Sequence, residues 1–420
     1  MLKTILTALR SPELRKKLLF TAFILACFRL GSYVPVPGVD TDALQAAIDQ
    51  RGSRLLDFLN LFAGGALTRF AVFALGIMPY ITASIILQLM TVVIPSLEKL
   101  QKEGESGQQK ITQYTRYLTV ALALLQSMAY VLYFRSQDAL PGLEALDFFL
   151  IVVSLTAGTT LVMWLGELIT QRGVGNGISL LIFASIVASV PTAIEGWFGL
   201  PPVSQAIIFV ITAAVIVGVV FVNEGQRRIP IQYAKRVVGR RMTSGGTTYM
   251  PLRVNMAGVI PVIFASSVVI LPPTLAELAG RGSFFQNISD LLAPGSWYYI
   301  IFEGLLIVLF TYFYTAVQFN PVDQADNLKK YGGFIPGVRP GRPTAVYLDR
   351  VLTRLTLPGA IYLAAIAELP NVVFRYLPES SAFFGVLGGV SIIIVVGVAL
   401  DTIRQMEAQL LMRNYEGFLR

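Results

Sequence analysis

The feature that most constrains this chain is a series of long apolar runs. The clearest extends from Phe70 to Ile94 and contains no charged residue in 25 positions. As an α-helix with about 1.5 Å per residue it would be roughly 37 Å long, enough to cross the hydrocarbon core of a bilayer with some tilt. Only 14% of the 420 residues are charged, whereas soluble domains contain roughly 25%. The sequence therefore predicts an all-α polytopic membrane protein.

Ten apolar runs are present, and we interpret each as a membrane-spanning helix. The run at 178–190 is shorter than the roughly 17 residues that a lone helix in lipid needs, so we expect neighbouring helices to shield its ends. The runs cover residues 18–33, 70–94, 117–134, 148–168, 178–190, 206–222, 256–271, 297–317, 355–369 and 383–400.

The distribution of basic residues predicts how these spans are oriented. With ten spans both termini lie on one side, and the segments on that side hold 26 of the 33 Lys and Arg residues, whereas the opposite segments hold six. Loops rich in Lys and Arg stay in the cytoplasm. The N-terminus (1–17) and the tail (402–420) are therefore predicted to be cytoplasmic.

A short amphipathic piece, Leu55–Phe62, precedes the run at 70–94 and is too short to span a bilayer. Gly64 and Gly65 then break it, because adjacent glycines disfavour a helix and permit turns. This segment alone is compatible with a re-entrant helix near the axis of a channel or carrier, and equally with a surface helix before an ordinary span.

Two cytoplasmic loops are longer than a connection requires. The first, 224–255, has ends that alternate in strand fashion around Gly245-Gly246, which predicts a hairpin. The second, 319–354, carries GFIPGVRPGRPT at its tip, and this Pro and Gly content predicts a fixed, non-helical protrusion. Three explanations for such basic loops are open: their charge only reflects the orientation rule, they contact anionic lipid, or they dock an acidic or RNA-rich partner.

The residue types exclude several kinds of site. The chain has no histidine, which excludes imidazole-dependent catalysis and most transition-metal sites, and its single cysteine, Cys27, excludes an intrachain disulfide. The Gly-rich segment Arg172–Ile178 resembles a phosphate loop, but no G-K-[ST] follows, so we interpret it as a tight turn with Asn176 near a helix start. We predict neither an enzyme nor a metal or cofactor site.

Isoleucines recur three or four residues apart in three of the runs, so each pair lies on one helix face. Rings of such side chains can form a dewetting constriction that blocks water and ions. Isoleucine pairs are also common in ordinary spans, so the spacing leaves both interpretations open. The pairs are Ile77 with Ile81, Ile178 with Ile182, and Ile260 with Ile263.

Glu303 is the clearest ionisable residue within a span, seven residues into the eighth run. Ion-coupled transporters place charges near the middle of the membrane, so a secondary transporter of a small solute is the rival function. One glutamate near an outer boundary is weak support for that rival. We favour a snorkelling or helix-packing role for it.

Five long motifs closely resemble the SecY family of bacterial protein-conducting channels. The resemblance extends from Lys16 to Tyr415 and includes the C-terminal tail. The motifs are FAGGALTRFAVFALGIMPYITASIILQL, KEGESGQQKITQYTRY, MWLGELITQRGVGNGIS, NMAGVIPVIFASS and FNPVDQADNLKKYGGFIPGVRPG.

The resemblance implies ten spans in two inverted five-helix halves with a re-entrant plug helix. The N-terminal half would be 18–190, with the plug at about 55–67, followed by an outer hinge loop at 191–205 and a C-terminal half at 206–401. A lateral gate toward lipid would lie between spans two and three on one side and seven and eight on the other.

The resemblance also implies roles for individual residues. The pore ring would consist of Ile77, Ile81, Ile178, Ile182, Ile263 and Ile394, with Ile260 as a near neighbour. The plug would include Leu55, Leu56, Asp57, Phe58, Leu59, Asn60, Leu61, Phe62, Ala63, Gly64 and Gly65. The polar contacts of the gate would be Thr82, Gln88 and Asn255, and docking contacts would be Arg240, Arg241 and Arg339.

A family member of this kind is a passive channel in the bacterial plasma membrane. It passes unfolded secretory polypeptides across and releases signal sequences and membrane segments laterally into lipid. The resemblance implies SecE and SecG subunits, the SecA ATPase, the ribosome, nascent polypeptides and membrane lipids as partners.

Overall fold

The structure is a computed structural model that describes most of the chain. The described residues are 11–37, 39, 60, 62–136, 144–233, 236–238, 241–243, 246–279, 296–377, 383 and 387–418. Within these ranges only the backbone is described for 133, 236–238, 241–243, 270–279, 374 and 413–418.

A helix lies at each of the ten predicted runs. These ten are α1 Pro12–Gly31, α2 Met78–Val93, α4 Glu105–Ser136, α5 Ala145–Arg172, α6 Gly177–Phe198, α7 Pro202–Glu224, α8 Ile260–Ala279, α9 Trp297–Gln318, α11 Arg342–Tyr376 and α12 Gly389–Phe418. Two short helices, α3 Pro95–Lys102 and α10 Pro321–Lys330, lie outside the runs. Among the described residues, seven helices are long and apolar enough to cross a membrane, and the bent pair α2–α3 makes an eighth.

The helices form two groups. Helices α1, α2, α4, α5 and α6 pack on one another, as do α7, α8, α9, α11 and α12. The main contacts between the groups are α6 against α12, and α8 against both α2 and α4.

The prediction of one continuous span over Phe70–Ile94 is wrong. Turns occupy the chain up to Ile77, helix α2 covers only Met78–Val93, and a bend of 100° at Ile94 leads into α3. Pro79 and Pro95 occupy first-turn positions of α2 and α3, where a helix tolerates the missing N–H. Hydropathy predicted burial correctly here but not backbone conformation.

The predicted outer hinge loop at 191–205 is also wrong in extent. Helix α6 continues through Pro191 to Phe198, and α7 begins at Pro202. A proline inside a helix loses a backbone hydrogen bond, but Ala193 is buried against Ile208 of α7, and this packing favours continuation of the helix. The turn is closed by Gln205, whose backbone carbonyl accepts a hydrogen bond from the Trp197 indole at 3.2 Å.

The hairpin predicted in the first large loop is present. Strand β1 Gln226–Tyr233 pairs antiparallel with β4 Thr247–Arg253, and β2 Arg236–Val238 pairs with β3 Arg241–Thr243. Gly246 is not at the turn, because it directly precedes β4 and its carbonyl accepts a hydrogen bond from the Tyr233 amide at 3.3 Å, while Val238 and Arg241 pair farther along the chain from β1.

The second large loop is only partly non-helical. Its segment 342–354 is the first part of α11, and strand β5 Gly333–Phe334 pairs with the free edge of β1. An apolar cluster explains the early helix start, because Leu348 and Leu352 of α11 pack against Ile229 and Leu252 of the sheet. The hairpin and the start of α11 therefore form one folded unit.

Candidate pore and gate

The isoleucines selected from the sequence lie in one apolar cluster. They come from the first two turns of α2, α6, α8 and α12, with Ile77 as the N-cap of α2. Five are buried and two, Ile178 and Ile260, are half-buried at the edge of the cluster. The buried members are Ile77, Ile81, Ile182, Ile263 and Ile394.

Local signals position the two isoleucines of α6. Asn176 is the N-cap of this helix, and its Oδ1 accepts hydrogen bonds from the amides of Ile178 at 3.1 Å and Ser179 at 3.3 Å. The predicted turn and helix start at Asn176 are therefore confirmed. Gly177 lets α6 approach α5, since a Cβ there would lie 1.9 Å from the Gly166 carbonyl oxygen.

The second part of the candidate plug lies in the same cluster. Residues 55–59 and Leu61 lie outside the described residues, but Phe62 and Ala63 are 1% exposed and belong to the same apolar cluster as the ring isoleucines. Residues 62–77, hereafter the turn segment, contain positive φ angles of 64° at Gly64 and 56° at Gly76. Because Phe62 and Ala63 are buried among the spans, a surface position of this part of the segment is excluded.

Close backbone approaches hold the turn segment in place. A Cβ on Gly158 of α5 would lie 1.9 Å from the Val72 carbonyl oxygen. The Val72 amide donates to Val34 at 2.9 Å, and the Val36 amide donates to Phe70 at 3.0 Å, so the segment also pairs with the chain that follows α1.

Arg29 connects the first span to the candidate hinge of the plug. Its Nη1 donates a hydrogen bond to the Gly64 carbonyl, and its Nη2 donates to the Tyr33 hydroxyl at 3.0 Å. The Arg69 guanidinium lies 4.2 Å from the centre of the same tyrosine ring. The sequence does not predict this contact, because nothing in the local sequence of Arg29 indicates a partner 35 residues away.

The three candidate gate residues are placed differently. The Thr82 hydroxyl donates to the Met78 carbonyl of its own helix at 3.0 Å, whereas the Gln88 side chain of α2 interacts with Tyr314 of α9. The Asn255 amide donates at 3.1 Å to Asn223 of α7. Gln88 therefore reaches from one helix group to the other, while Asn255 bonds within its own group.

A cavity of about 470 Å³ opens beside the ring and includes Ile260 in its wall. Its lining is about half polar, with Asn176, Asn255, Gln318 and Arg404 among its residues. Arg404 donates from Nη2 to the Asn223 carbonyl at 2.9 Å and to Glu224 at 2.8 Å, which fixes α12 against α7. An apolar constriction with a polar approach can admit a hydrated chain and exclude water when closed.

Of the candidate docking residues, only Arg339 has a described side chain, and it lies on the folded unit formed by the hairpin and the start of α11. Arg240 is outside the described residues, and for Arg241 only its position in β3 is described. Arg339 is exposed in the turn before α11, and its carbonyl accepts a hydrogen bond from Thr344 Oγ1 at 2.9 Å. This bond fixes the turn while leaving the guanidinium accessible.

Glu303 does not snorkel. Its side chain is 3% exposed and accepts a hydrogen bond from Ser266 of α8 at 2.9 Å, which supports the helix-packing alternative. Among the described residues, no group of three or more potential ligands could hold a metal ion.

The comparisons with known proteins agree on one family. Residues 71–403 match the family model described as SecY. The chain is 49% identical over 447 residues to the protein translocase subunit SecY of Streptomyces scabiei, with 100% of both chains covered. It is 49% identical over 442 residues to the same subunit of Corynebacterium glutamicum, again with full coverage of both.

Solved structures show the same fold. A structure described as a protein conducting channel has a TM-score of 0.66 at 17% identity and covers 93% of this chain and 91% of its own. A SecY structure whose plug domain is said to stabilise the closed state of the translocation channel has a TM-score of 0.63, 17% identity, and coverage of 93% and 91%. The idle yeast Ssh1 complex bound to the yeast 80S ribosome has a TM-score of 0.60, 15% identity, and coverage of 91% and 87%. The predicted polytopic all-α fold is confirmed, and the chain belongs to the SecY family.

Proposed function

We propose that the seven isoleucines form the constriction of a protein-conducting channel and that the plug, including residues 62–67, closes it. Membership of the SecY family makes the chain a subunit of such a channel. The observation that carries the residue assignment is that isoleucines from four helices share one apolar cluster with Phe62 and Ala63.

An isoleucine ring suits this task for two physical reasons. Its surface is apolar, so a narrow ring excludes water and ions when no chain fills it. Its side chains also form no hydrogen bonds, so they do not retain a passing polypeptide. The plug adds a second barrier in the resting state.

The gate in this proposal opens between α2 and α4 on one side and α8 and α9 on the other. An apolar signal sequence would insert there, displace the plug and leave into lipid through the same opening. The contact between Gln88 and Tyr314 and the packing of α8 on α2 and α4 support this location. The short turn at 199–201, which joins α6 of one helix group to α7 of the other, would serve as the hinge of the two halves.

We further propose a passive channel rather than an enzyme, with both termini in the cytoplasm of a bacterium and the spans in its plasma membrane. SecE and SecG would complete the channel, and the SecA ATPase or the ribosome would supply the driving force. The ribosome-bound Ssh1 complex supports the ribosome as a partner, and we propose that docking uses the folded unit that carries Arg339. Signal sequences, nascent polypeptides and membrane lipids would be the other ligands.

Reconstitution in liposomes tests this function against the small-solute transporter. With its partner subunits, the SecA motor and ATP, the wild-type chain should take up a signal-bearing polypeptide but not the same polypeptide without its signal. Glu303→Gln should leave this uptake intact. Ion-coupled uptake of a small solute that is lost in Glu303→Gln, with no polypeptide uptake, would contradict the proposal.

A further inference from the structure

Two buried glutamates meet between neighbouring helices. Glu303 lies on α9 and is 3% exposed, and Glu368 lies on α11 and is 6% exposed. Their carboxyl groups are neighbours. The intervening packing is close, since a Cβ on Gly304 would lie 4.0 Å from Cγ of Glu368.

Neutral donors surround this pair. Ser266 of α8 donates to Oε1 of Glu303 at 2.9 Å, and Tyr299, one turn before Glu303, also bonds with it. Asn371 donates to Oε2 of Glu368 at 2.9 Å. The other oxygen of Glu368, Oε1, is buried and accepts no hydrogen bond from any described donor.

No positive charge compensates the pair within the described part of the chain, where neither glutamate forms an ion pair. Tyr299 is the other titratable group facing the pair. Arg375, on the same helix as Glu368, instead lies over the Trp297 ring at 5.4 Å. On α12, the helix that packs on α11, Asp401 and Arg404 pair with each other at 3.6 Å.

We propose that Glu303 and Glu368 together bind a single proton and share it in a carboxyl–carboxylate hydrogen bond. Two adjacent carboxylates cannot both be ionised in a dry site without a counter-charge, because burial and mutual repulsion both oppose the second charge. Oε1 of Glu368, which has no described donor, remains available for this hydrogen bond. Sequence reasoning singled out Glu303 but could not identify Glu368 as its partner, since the two residues lie on different helices.

The shared proton joins three helices. Ser266 belongs to α8, Glu303 to α9 and Glu368 to α11. The cluster therefore connects three helices on one side of the proposed gate. The proton-sharing itself does not rest on the proposed channel function, and its test needs no transport assay.

Infrared spectroscopy of the purified full chain at neutral pH tests the inference. The wild type should show the C=O stretch of a protonated carboxylic acid, and either Glu303→Gln or Glu368→Gln alone should remove it, because the remaining glutamate then ionises beside an amide donor. Glu195→Gln, which replaces an exposed carboxylate on α6, is the matched control and should retain the band. Absence of the band in the wild type, or its loss in only one of the two variants, would overturn a shared proton.

Thermal unfolding across about pH 6 to about pH 10 provides a second readout. Because the folded pair holds a proton that the unfolded chain releases, its contribution to stability should fall as the pH rises. The decline in Tm should be smaller in Glu303→Gln than in the wild type or in Glu195→Gln. An equal decline in all three proteins would contradict the inference.

Discussion

The turn segment and helix α6 are both apolar and lie in the same buried cluster, yet only one of them is helical. Helix α6 continues even through Pro191, whereas the turn segment forms no helix from Ala63 to Ile77. The difference lies in glycines with positive φ and in backbone pairing with the chain after α1. Hydropathy therefore identifies which segments are buried. Whether a buried segment is helical depends on its glycines and on the hydrogen-bond partners that other parts of the chain offer its backbone.

The packing of the turn segment against α5 should be disrupted most by a substitution at Gly158. In Gly158→Val the new Cβ would meet the Val72 carbonyl oxygen, and since that oxygen belongs to backbone we expect a loss of about 3 kcal/mol in stability. Ala157→Val, at the adjacent exposed position, should leave the Tm unchanged. Equal Tm values for the two variants would show that the turn segment does not pack closely against α5 at Gly158.

The hinge role of Gly64 and Gly65 is tested by replacing both with alanine. Their φ angles of 64° and 83° are unfavourable for residues with a Cβ. The double substitution should therefore lower the free energy of unfolding by about 2 kcal/mol and alter plug movement. Single-channel recording in planar bilayers should show a changed frequency of opening. Gly104→Ala introduces the same strain at φ 76° in a remote, open turn. If gating is unchanged in the double variant, the two glycines are not the hinge.

Loss of the hydrogen bond between Arg29 and the Gly64 carbonyl should have a somewhat smaller effect. Arg29→Met leaves a buried carbonyl without its donor, which costs about 1.4 kcal/mol and corresponds to about a tenfold rise in ion current without a signal sequence. Arg375→Met removes another guanidinium that lies over an aromatic ring but contacts no part of the turn segment among the described residues. If the ion current rises equally in both variants, the effect comes from the loss of a positive charge and not from the loss of the hydrogen bond to Gly64.

Arg339→Glu should leave stability unchanged, because the side chain is exposed and only its carbonyl is bonded. We expect it to impair motor-driven uptake of a signal-bearing polypeptide in liposomes. Glu195→Gln serves as an exposed control on another element. Normal uptake by Arg339→Glu, at normal Tm, would refute the docking role.

Sequence reasoning succeeded where the signal is local. The ten apolar runs, the cap at Asn176 and the hairpin in the first large loop follow from hydropathy, capping chemistry and strand alternation. It failed at Phe70–Ile77 and Pro191, where tertiary contacts determine the backbone. It also could not pair Arg29 with Gly64 or Glu303 with Glu368, since such contacts depend on how distant helices pack. The isoleucine ring was chosen through family resemblance, because spacing alone did not distinguish it.

Cysteine crosslinking to a stalled secretory chain tests the central claim most directly. In a Cys27→Ala background, Ile81→Cys and Ile182→Cys should each form an adduct with a cysteine in the translocating segment. Ile194→Cys is the matched control, because it lies on the same helix as Ile182 but is 44% exposed. The account predicts adducts at the two ring positions and none at Ile194. Labelling of the ring positions only by lipid-soluble reagents, with no substrate adduct, would contradict it.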